Sequence, residues 1–494
     1  APTTETRYIQ SAFPKRIREY TSGTGSQTVC FLAPTGIAAE QLYEHLKDTD
    51  KATYLLNNRQ SDDQITKNWS HVSAPDTPSD YVITPGFLTA MPSTIDTLIV
   101  EKEGSDAYKQ QHRPMLDWRI VAKITAETYN ADRILGDTIL QLSSWHTQKN
   151  TDAAVSSTLK DSYEISAEQL LVDMKTHTDD TKEGFALFAD PLQEAVQDAS
   201  NTHIFLLVGR KGIHPFTVCG DCGEVLTCDT CEAPMTLKQK DDNRVFFCTR
   251  CNTAEQSDRV CENCGSWKLW ALGVGTDRVV THLQEKYTKK SIFQIDKDTT
   301  TTNKQAREEV ENFYNTGGIL VGTQMAVPYL QDVDVTGIVS LDSQLSIPDF
   351  TINERIFRLL THLRLRTTTQ FIMQTRRKRT TVLEHALAGD VNSFFQRELE
   401  MRKQLDYPPY TTLIRISVSD FETSARSRIR DIANQITHYP TNIYPAFSNK
   451  GGKHFRMHLL IILPKNKWPD TKLSSLLQSR NTDVTVNVIP NKII

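Results

Sequence analysis

Val29-Cys30-Phe31-Leu32-Ala33-Pro34 is an unbroken apolar run closed by a proline, and the amphipathic stretch from Ile37 to Lys47 follows it at once. A short apolar run with helical periodicity behind it reads as a buried parallel strand feeding a helix. The same signature recurs outward from it. Tyr81-Val82-Ile83-Thr84 and Thr97-Leu98-Ile99-Val100 continue a first series. Ile204-Phe205-Leu206-Leu207-Val208, Ser291-Ile292-Phe293-Gln294-Ile295, Ile319-Leu320-Val321 and Gly337-Ile338-Val339-Ser340-Leu341 form a second. Strands interleaved with helices predict parallel α/β sheets. Past Tyr407-Pro408-Pro409-Tyr410, Leu413-Ile414-Arg415-Ile416 and His458-Leu459-Leu460-Ile461-Ile462 predict a small mixed α/β unit. No internal repeat is visible.

Composition bounds the function. The 494 residues suit about three domains of roughly 150 residues. With 38% hydrophobic and 23% charged residues, the chain can build packed cores, and global disorder is excluded. The net charge of −4, from 56 basic and 60 acidic residues, excludes nucleic-acid binding by bulk charge, so any such site must be a local patch. Mean hydropathy is −0.43, and no stretch approaches the roughly 18 apolar residues of a membrane span. Ala1-Pro2-Thr3-Thr4-Glu5 has neither a basic nor an apolar leader region. The expectation is a soluble cytoplasmic protein with no membrane partner.

Eight of the nine cysteines form four C-x2-C pairs between 219 and 264, and only Cys30 stands apart, inside an apolar run that marks it as a core residue. Two residues between thiols let both sulfurs of one tight turn face one ion. Four pairs make two sites of four thiolates. Cys228/Cys231 and Cys248/Cys251 are separated by 16 intervening residues, a zinc-ribbon spacing. That leaves Cys219/Cys222 with Cys261/Cys264 for an outer site, a nested arrangement; a sequential pairing stays open. Iron also accepts four thiolates, but ribbon spacing favours two Zn2+. All-thiolate shells leave no open position for catalysis, so these metals would be structural.

These residues resemble the PriA family, the bacterial primosomal replication-restart helicases. The cysteine block sits between a strand and Gly273-Val274-Gly275-Thr276-Asp277, where that family carries its zinc insert and a Gly-x-Gly-Thr-Glu motif. Asp296-Lys297-Asp298, Gly322-Thr323-Gln324-Met325, Pro348-Asp349-Phe350, Glu354-Arg355, Leu359-Leu360-Thr361, Arg397-Glu398-Leu399 and Tyr407-Pro408-Pro409-Tyr410 follow in family order. Ala107-Tyr108-Lys109-Gln110 and Arg119 match the stretch past the family's Asp-Glu-x-His box. The resemblance implies two RecA-like lobes of superfamily-2 helicase architecture with a small C-terminal α/β domain. Its implied boundaries are lobe one at 1–150, an acidic linker at 151–188, lobe two at 189–217 and 266–395, a two-zinc insert at 218–265 and the C-terminal domain at 396–494. The linker reading rests on residues 151–200, with eleven acidic side chains against three lysines; a solvated helical face is its alternative.

The departures from the family matter equally. No G-x4-G-K-[ST] loop exists to hold ATP phosphates. Gly23-Thr24-Gly25-Ser26 is the nearest glycine pair ahead of a strand and reads as a turn. The metal-binding box is Glu101-Lys102-Glu103-Gly104, with a lysine where a carboxylate is needed. The family's Gly-Ser-Ala-Thr-Pro is Gly136-Asp137-Thr138-Ile139-Leu140. The arginine-finger segment is His362-Leu363-Arg364-Leu365-Arg366-Thr367-Thr368, leaving Arg366 as a remnant beside Glu101 and Glu103. The family's N-terminal DNA-end-binding and winged-helix domains are expected to be missing from this sequence. Four broken elements argue against ATP hydrolysis and leave ATP and Mg2+ binding open.

Arg355 to Arg379 contains eight basic residues and no acidic one, ending in Arg376-Arg377-Lys378-Arg379, and reads as a phosphate-contact patch or a solvated face. Tyr108-Lys109 resembles an aromatic loop that stacks on unpaired bases; a packed tyrosine is the alternative. Arg210-Lys211 sits at a strand end where the family carries Asn-Arg-Arg-Gly, and Arg364 joins the candidate DNA contacts. Trp267 and Trp270, after the last knuckle, read as packing residues. The expected function is replication restart: binding forked or single-stranded DNA and helping to reload the replicative helicase without unwinding. The implied partners are single-strand-binding protein and the replicative helicase or its loader, at the nucleoid. The alternatives are an active ATP-dependent 3′–5′ helicase with divergent motifs and a zinc-ribbon scaffold binding protein or RNA.

Overall fold

The computed structural model describes residues 5–13, 15–22, 24–49, 51–73, 77–150, 158–174, 177, 186–198, 202–209, 216–222, 224–229, 235–240, 243–248, 253–255, 259–272, 275–345, 349–376, 381–446, 455–478 and 484–490. The chain divides into two compact units, Ala1–Ser162 and Tyr163–Ile494.

The first unit is built on β1 (Thr6–Gln10), β2 (Val29–Leu32), β3 (Thr53–Leu56), β4 (Asp80–Ile83), β5 (Thr97–Glu101) and β6 (Asp132–Asp137). They form one all-parallel sheet in the order β1-β6-β5-β2-β4-β3. Every residue of β2, β4 and β5 is buried, which is why these strands read as continuous apolar runs rather than alternating ones. The expected helix after β2 is present at Gly36–Leu46. Thr35 caps it by accepting a hydrogen bond from the Ala38 N–H at 3.2 Å. Separate apolar clusters pack on the two sheet faces, one around Tyr81, Leu98 and Ala122 and the other around Phe31, Leu42 and Ile99. In this order β6 lies between the first strand, β1, and β5, which ends in the acidic box.

The second unit repeats the plan. Its strands in chain order are β7 (Glu168–Asp173), β8 (His203–Leu207), β9 (Phe216–Cys219), β10 (Met235–Lys240), β11 (Asn243–Cys248), β12 (Ala254–Glu255), β13 (Leu269–Leu272), β14 (Ile292–Ile295), β15 (Gly318–Gly322), β16 (Val333–Ile338) and β17 (Thr367–Thr375). Six of them form a parallel sheet in the order β14-β15-β8-β16-β17-β7. β7 corrects the linker reading: Glu168–Asp173 pairs along β17 from Gln370 to Thr375 as the edge strand of this sheet. Its acidic residues are exposed, while Leu170 and Val172 pack against the core.

Between β8 and β14 the chain leaves the lobe as the cysteine module. The chain ends with β18 (Thr411–Asp420), β19 (Thr441–Pro445), β20 (Phe455–Pro464) and β21 (Val484–Val488), an antiparallel sheet in the order β19-β20-β18-β21. Helices Glu422–Ala433 and Thr471–Gln478 cover one of its faces, burying Ile429, Leu473, Ile416 and Leu459 together. Among the described residues no helix is long and apolar enough to cross a membrane.

Candidate functional site

The cysteine module is rooted on two strands that run antiparallel, β9 and β13, with Cys219 opposite Leu269 and Phe216 opposite Leu272. That pairing lays the incoming and outgoing chain side by side. It carries the first and last knuckles to one place, and the Sγ atoms of Cys219, Cys222, Cys261 and Cys264 all lie within 4.8 Å of one another. The closest are Cys219 to Cys264 at 3.5 Å and Cys222 to Cys261 at 3.4 Å. Four thiolates around one zinc, each about 2.3 Å from it, stand about 3.8 Å apart, so the donor set fits a tetrahedral metal with little adjustment. Backbone geometry pre-forms the turns: Cys219 N–H donates to the Glu224 carbonyl at 2.8 Å, Cys261 N–H to Ser266 at 2.8 Å, and Gly265 N–H to Cys261 at 2.7 Å. Burial raises the Cys222 thiol, but hydrogen bonds from the Glu224 backbone and the Asn263 and Cys261 side chains outweigh it and bring the pKa down to about 7. This is the outer set of the nested arrangement.

For the inner set, the β10–β11 hairpin places Cys248 opposite Met235, and Cys228 and Cys248 are both buried in the cluster that contains Met235, Phe246 and Leu269. Cys231 and Cys251 lie outside the described residues. The two tryptophans part company. Trp270 packs over the first knuckle so closely that a Cβ on Gly220 would stand 2.2 Å from its Nε1. Trp267 is 75% exposed, so the packing role expected for it is not what the structure shows.

In the first unit, the ends of β1, β5 and β6 hold a buried charge cluster that the sequence did not announce. The Arg16 guanidinium, on helix Lys15–Thr21, grips the Glu101 carboxylate with two hydrogen bonds, Nε to Oε2 at 2.9 Å and Nη2 to Oε1 at 2.6 Å. Its Nη1 donates to the Ser11 carbonyl and to Thr138 Oγ1. The Tyr20 hydroxyl donates to Glu101 Oε2 at 2.6 Å. Burial opposes the charge on Arg16, but the Glu101 carboxylate more than compensates and holds its pKa above the ordinary arginine value. Gly136 permits the arrangement, because a Cβ there would overlap the Tyr20 hydroxyl.

The remnants therefore have structural partners. Glu101 is tied to Arg16, and Glu103 accepts from Gln141 N–H at 2.8 Å and Ser144 Oγ at 2.7 Å. Lys102 takes a positive φ of 52° and directs Nζ to Gln41. Tyr108 is not presented for base stacking. It is fully buried, and its hydroxyl proton is shared between the Leu32 and Glu101 carbonyls at 2.6 and 2.5 Å. Lys109 is buried beside it.

In the second unit three further arginines are framework residues. Arg364 donates to the Tyr163 carbonyl at 2.8 Å and to Gln169 at 2.7 Å. Arg366 donates to the Val327 carbonyl at 2.8 Å. Arg376 caps the carbonyls of Met174 and Ala186 at 3.0 and 3.2 Å. A guanidinium occupied by backbone carbonyls is not offered to phosphate. Arg210, Lys211, Arg377, Lys378 and Arg379 lie outside the described residues. Glu354-Arg355 and Tyr407-Pro408-Pro409-Tyr410 also belong to the framework. Arg402 bridges Glu354 at 2.9 Å and Glu398 at 3.3 Å, and Phe350 stacks on Tyr407 with centroids 5.1 Å apart.

Comparison with known proteins supplies the family. The replication restart protein PriA of Bacillus subtilis (strain 168) is 28% identical over 354 residues, 69% of this chain and 43% of that one. The PriA of a Synechocystis strain is 30% identical over 345 residues, 66% of this chain and 41% of its own length. That of Borreliella burgdorferi is 23% identical over 421 residues, covering 81% and 61%. The chain is a relative of PriA. It spans about half the length of the curated PriA proteins it matches. No protein-family model matches it. Among solved structures it is similar to RecG bound to a three-way DNA junction, with a TM-score of 0.44, 11% identity and coverage of 81% of this chain and 44% of that one. S. cerevisiae Dbp5 bound to RNA and ADP BeF3 also scores 0.44, with 12% identity over 82% of this chain and 90% of that one. Within this PriA relative, Cys219, Cys222, Cys261 and Cys264 form a cluster that could hold a metal ion.

Proposed function

We propose that this PriA relative is a replication-restart factor that binds forked or single-stranded DNA and helps to reload the replicative helicase, without hydrolysing ATP. The observation that carries the reading is similarity to PriA proteins over 64–81% of the chain, and a four-cysteine cluster able to hold a metal accompanies it. The loss of hydrolysis is supported by the absent phosphate loop, the broken acidic box and the engagement of Glu101 with Arg16 rather than with an open cleft. The insert would hold two zinc ions as folding staples, the outer on Cys219, Cys222, Cys261 and Cys264 and the inner on Cys228, Cys231, Cys248 and Cys251. DNA contact would fall to Arg377, Lys378 and Arg379 with the strand-end pair Arg210/Lys211, since Arg364, Arg376 and Tyr108 are engaged internally.

The test combines an ATPase assay with fork binding on the full chain. Turnover stays at background with forked DNA present, and forks bind with a steep salt dependence. Neutralising Arg377, Lys378 and Arg379 together lowers the log–log slope by roughly 0.7–0.9 per lost contact. Turnover near ~1 s⁻¹, an ordinary enzymatic rate, would make the chain a helicase instead. Absence of any fork affinity would leave a zinc-ribbon scaffold.

A further inference from the structure

An open parallel sheet receives ligands at the carboxyl ends of its strands. In nucleotide-binding forms of the fold, a glycine-rich loop and a lysine follow the first strand, while a carboxylate at a neighbouring strand end holds magnesium. In this chain the first strand is β1, and Ser11-Ala12-Phe13-Pro14 follows it without a glycine. The helix behind that loop, Lys15–Thr21, spans two turns and places Arg16 directly on the end of β5. Both Glu101 oxygens accept from Arg16, and one also accepts from Tyr20. Arg16 is 0% exposed and Glu101 1%.

We propose that Arg16 stands in permanently for the cations that a nucleotide-binding cleft would recruit, the phosphate-holding lysine and the metal, so that the Arg16–Glu101–Tyr20 cluster closes the strand-end cleft of this lobe to nucleoside triphosphates. The proposal rests on the reading of a restart factor without ATP hydrolysis and goes further: the cleft does not bind nucleotide at all, and the ion pair supplies the cohesion that bound nucleotide would give. A triphosphate could enter only by displacing a buried, bidentate pair whose partner carboxylate would then face phosphate charge unscreened.

The test titrates full-length protein with a fluorescent ATP analogue and Mg2+, and separately measures fork affinity with and without ATP. No saturable nucleotide binding is expected up to about 1 mM, a concentration at which even weak sites of a few kcal/mol fill. Fork affinity stays within about twofold on adding ATP, below the fivefold onset of ordinary coupling. Arg16→Met and Glu101→Gln each lower the lobe's unfolding midpoint by roughly 10 °C, because each leaves one uncompensated buried partner. The double variant recovers most of that loss; independent packing roles would instead add. Saturable binding by the wild-type protein, or additive losses in the double variant, overturns the proposal. If the single variants do not fold, the wild-type titration still decides. Nucleotide binding with fork affinity intact sinks this inference alone, whereas loss of fork affinity sinks the restart reading and leaves the titration to judge the cleft.

Discussion

Replacing Gly220 with alanine should weaken the outer metal site selectively. The new Cβ would stand 2.2 Å from Trp270 Nε1, 2.8 Å from Cδ1 and 3.2 Å from Cε2, where carbon contacts normally begin near 3.5 Å. Gly220 is not among the glycines with positive φ, so alanine suffers from the indole and not from its own backbone. Three close atoms on one rigid ring system cannot be relieved by rotating a chain end. The indole must tilt, and Trp270 lies in β13 opposite Val218, one residue from the Cys219–Leu269 pair that aligns the knuckles. Overpacking of this kind costs about 1–3 kcal/mol. If the whole cost falls on the metal-loaded outer site, zinc affinity there drops by about fivefold to about 150-fold. Competition against a chromophoric chelator measures it, with the inner site as internal reference. Trp270→Leu in the same background removes the rigid ring that crowds the new Cβ and should restore part of the affinity. Zinc affinity in Gly220→Ala within about twofold of wild type, less than the smallest overpacking cost, would refute the steric argument.

Metal analysis should find about two zinc ions per chain, as two complete tetrahedral shells require, and Cys264→Ser should leave about one. Arg402→Met strands Glu398 and Glu354 in a buried setting and should cost about 3–5 kcal/mol in denaturant unfolding; a loss below about 1 kcal/mol would make the network a surface-like pair. His458 is held down to about pKa 3 by burial, reinforced by Arg415 and Arg456, and accepts or donates across 2.8 Å to Ser417. The unfolded chain binds the proton first, so the stabilisation is complete above about pH 6.5 and is lost as pH falls towards 3. Between pH 7 and 5 that amounts to roughly 2 kcal/mol, and His458→Asn should flatten this limb of the stability curve.

The cysteine knuckles and the parallel strands were legible in the sequence because spacing and apolar runs are themselves the physical cause: two thiols per turn, and strands buried on both faces. Residue depth was not. Tyr108 and Arg376 are the residue types that bind DNA, yet a side chain's identity says nothing about whether backbone carbonyls already occupy it. β7 was hidden because its acidic neighbours dominate the count, although Leu170-Leu171-Val172 carried a strand signal. The Arg16–Glu101 pair left one trace. A carboxylate directly ending the apolar run Leu98-Ile99-Val100 needs a buried cation, and no neighbour in sequence supplies it except the unsuitable Lys102. Arg16, set among Lys15 and Arg18, carries no mark in the sequence that separates it from its basic neighbours.

The β9–β13 stem has a consequence for how this chain can vary. Because Phe216 and Leu272 are hydrogen-bonded neighbours, the lobe meets the module as two adjacent chain ends, whatever lies between them. An insertion joined in this way can be lengthened, shortened or exchanged without asking the host sheet to move. A short turn joining Phe216 to Leu272 would excise the knuckles as a unit and leave β8 and β14 with their own partners. Transplanted onto another antiparallel stem, the same segment would carry its metal chemistry with it.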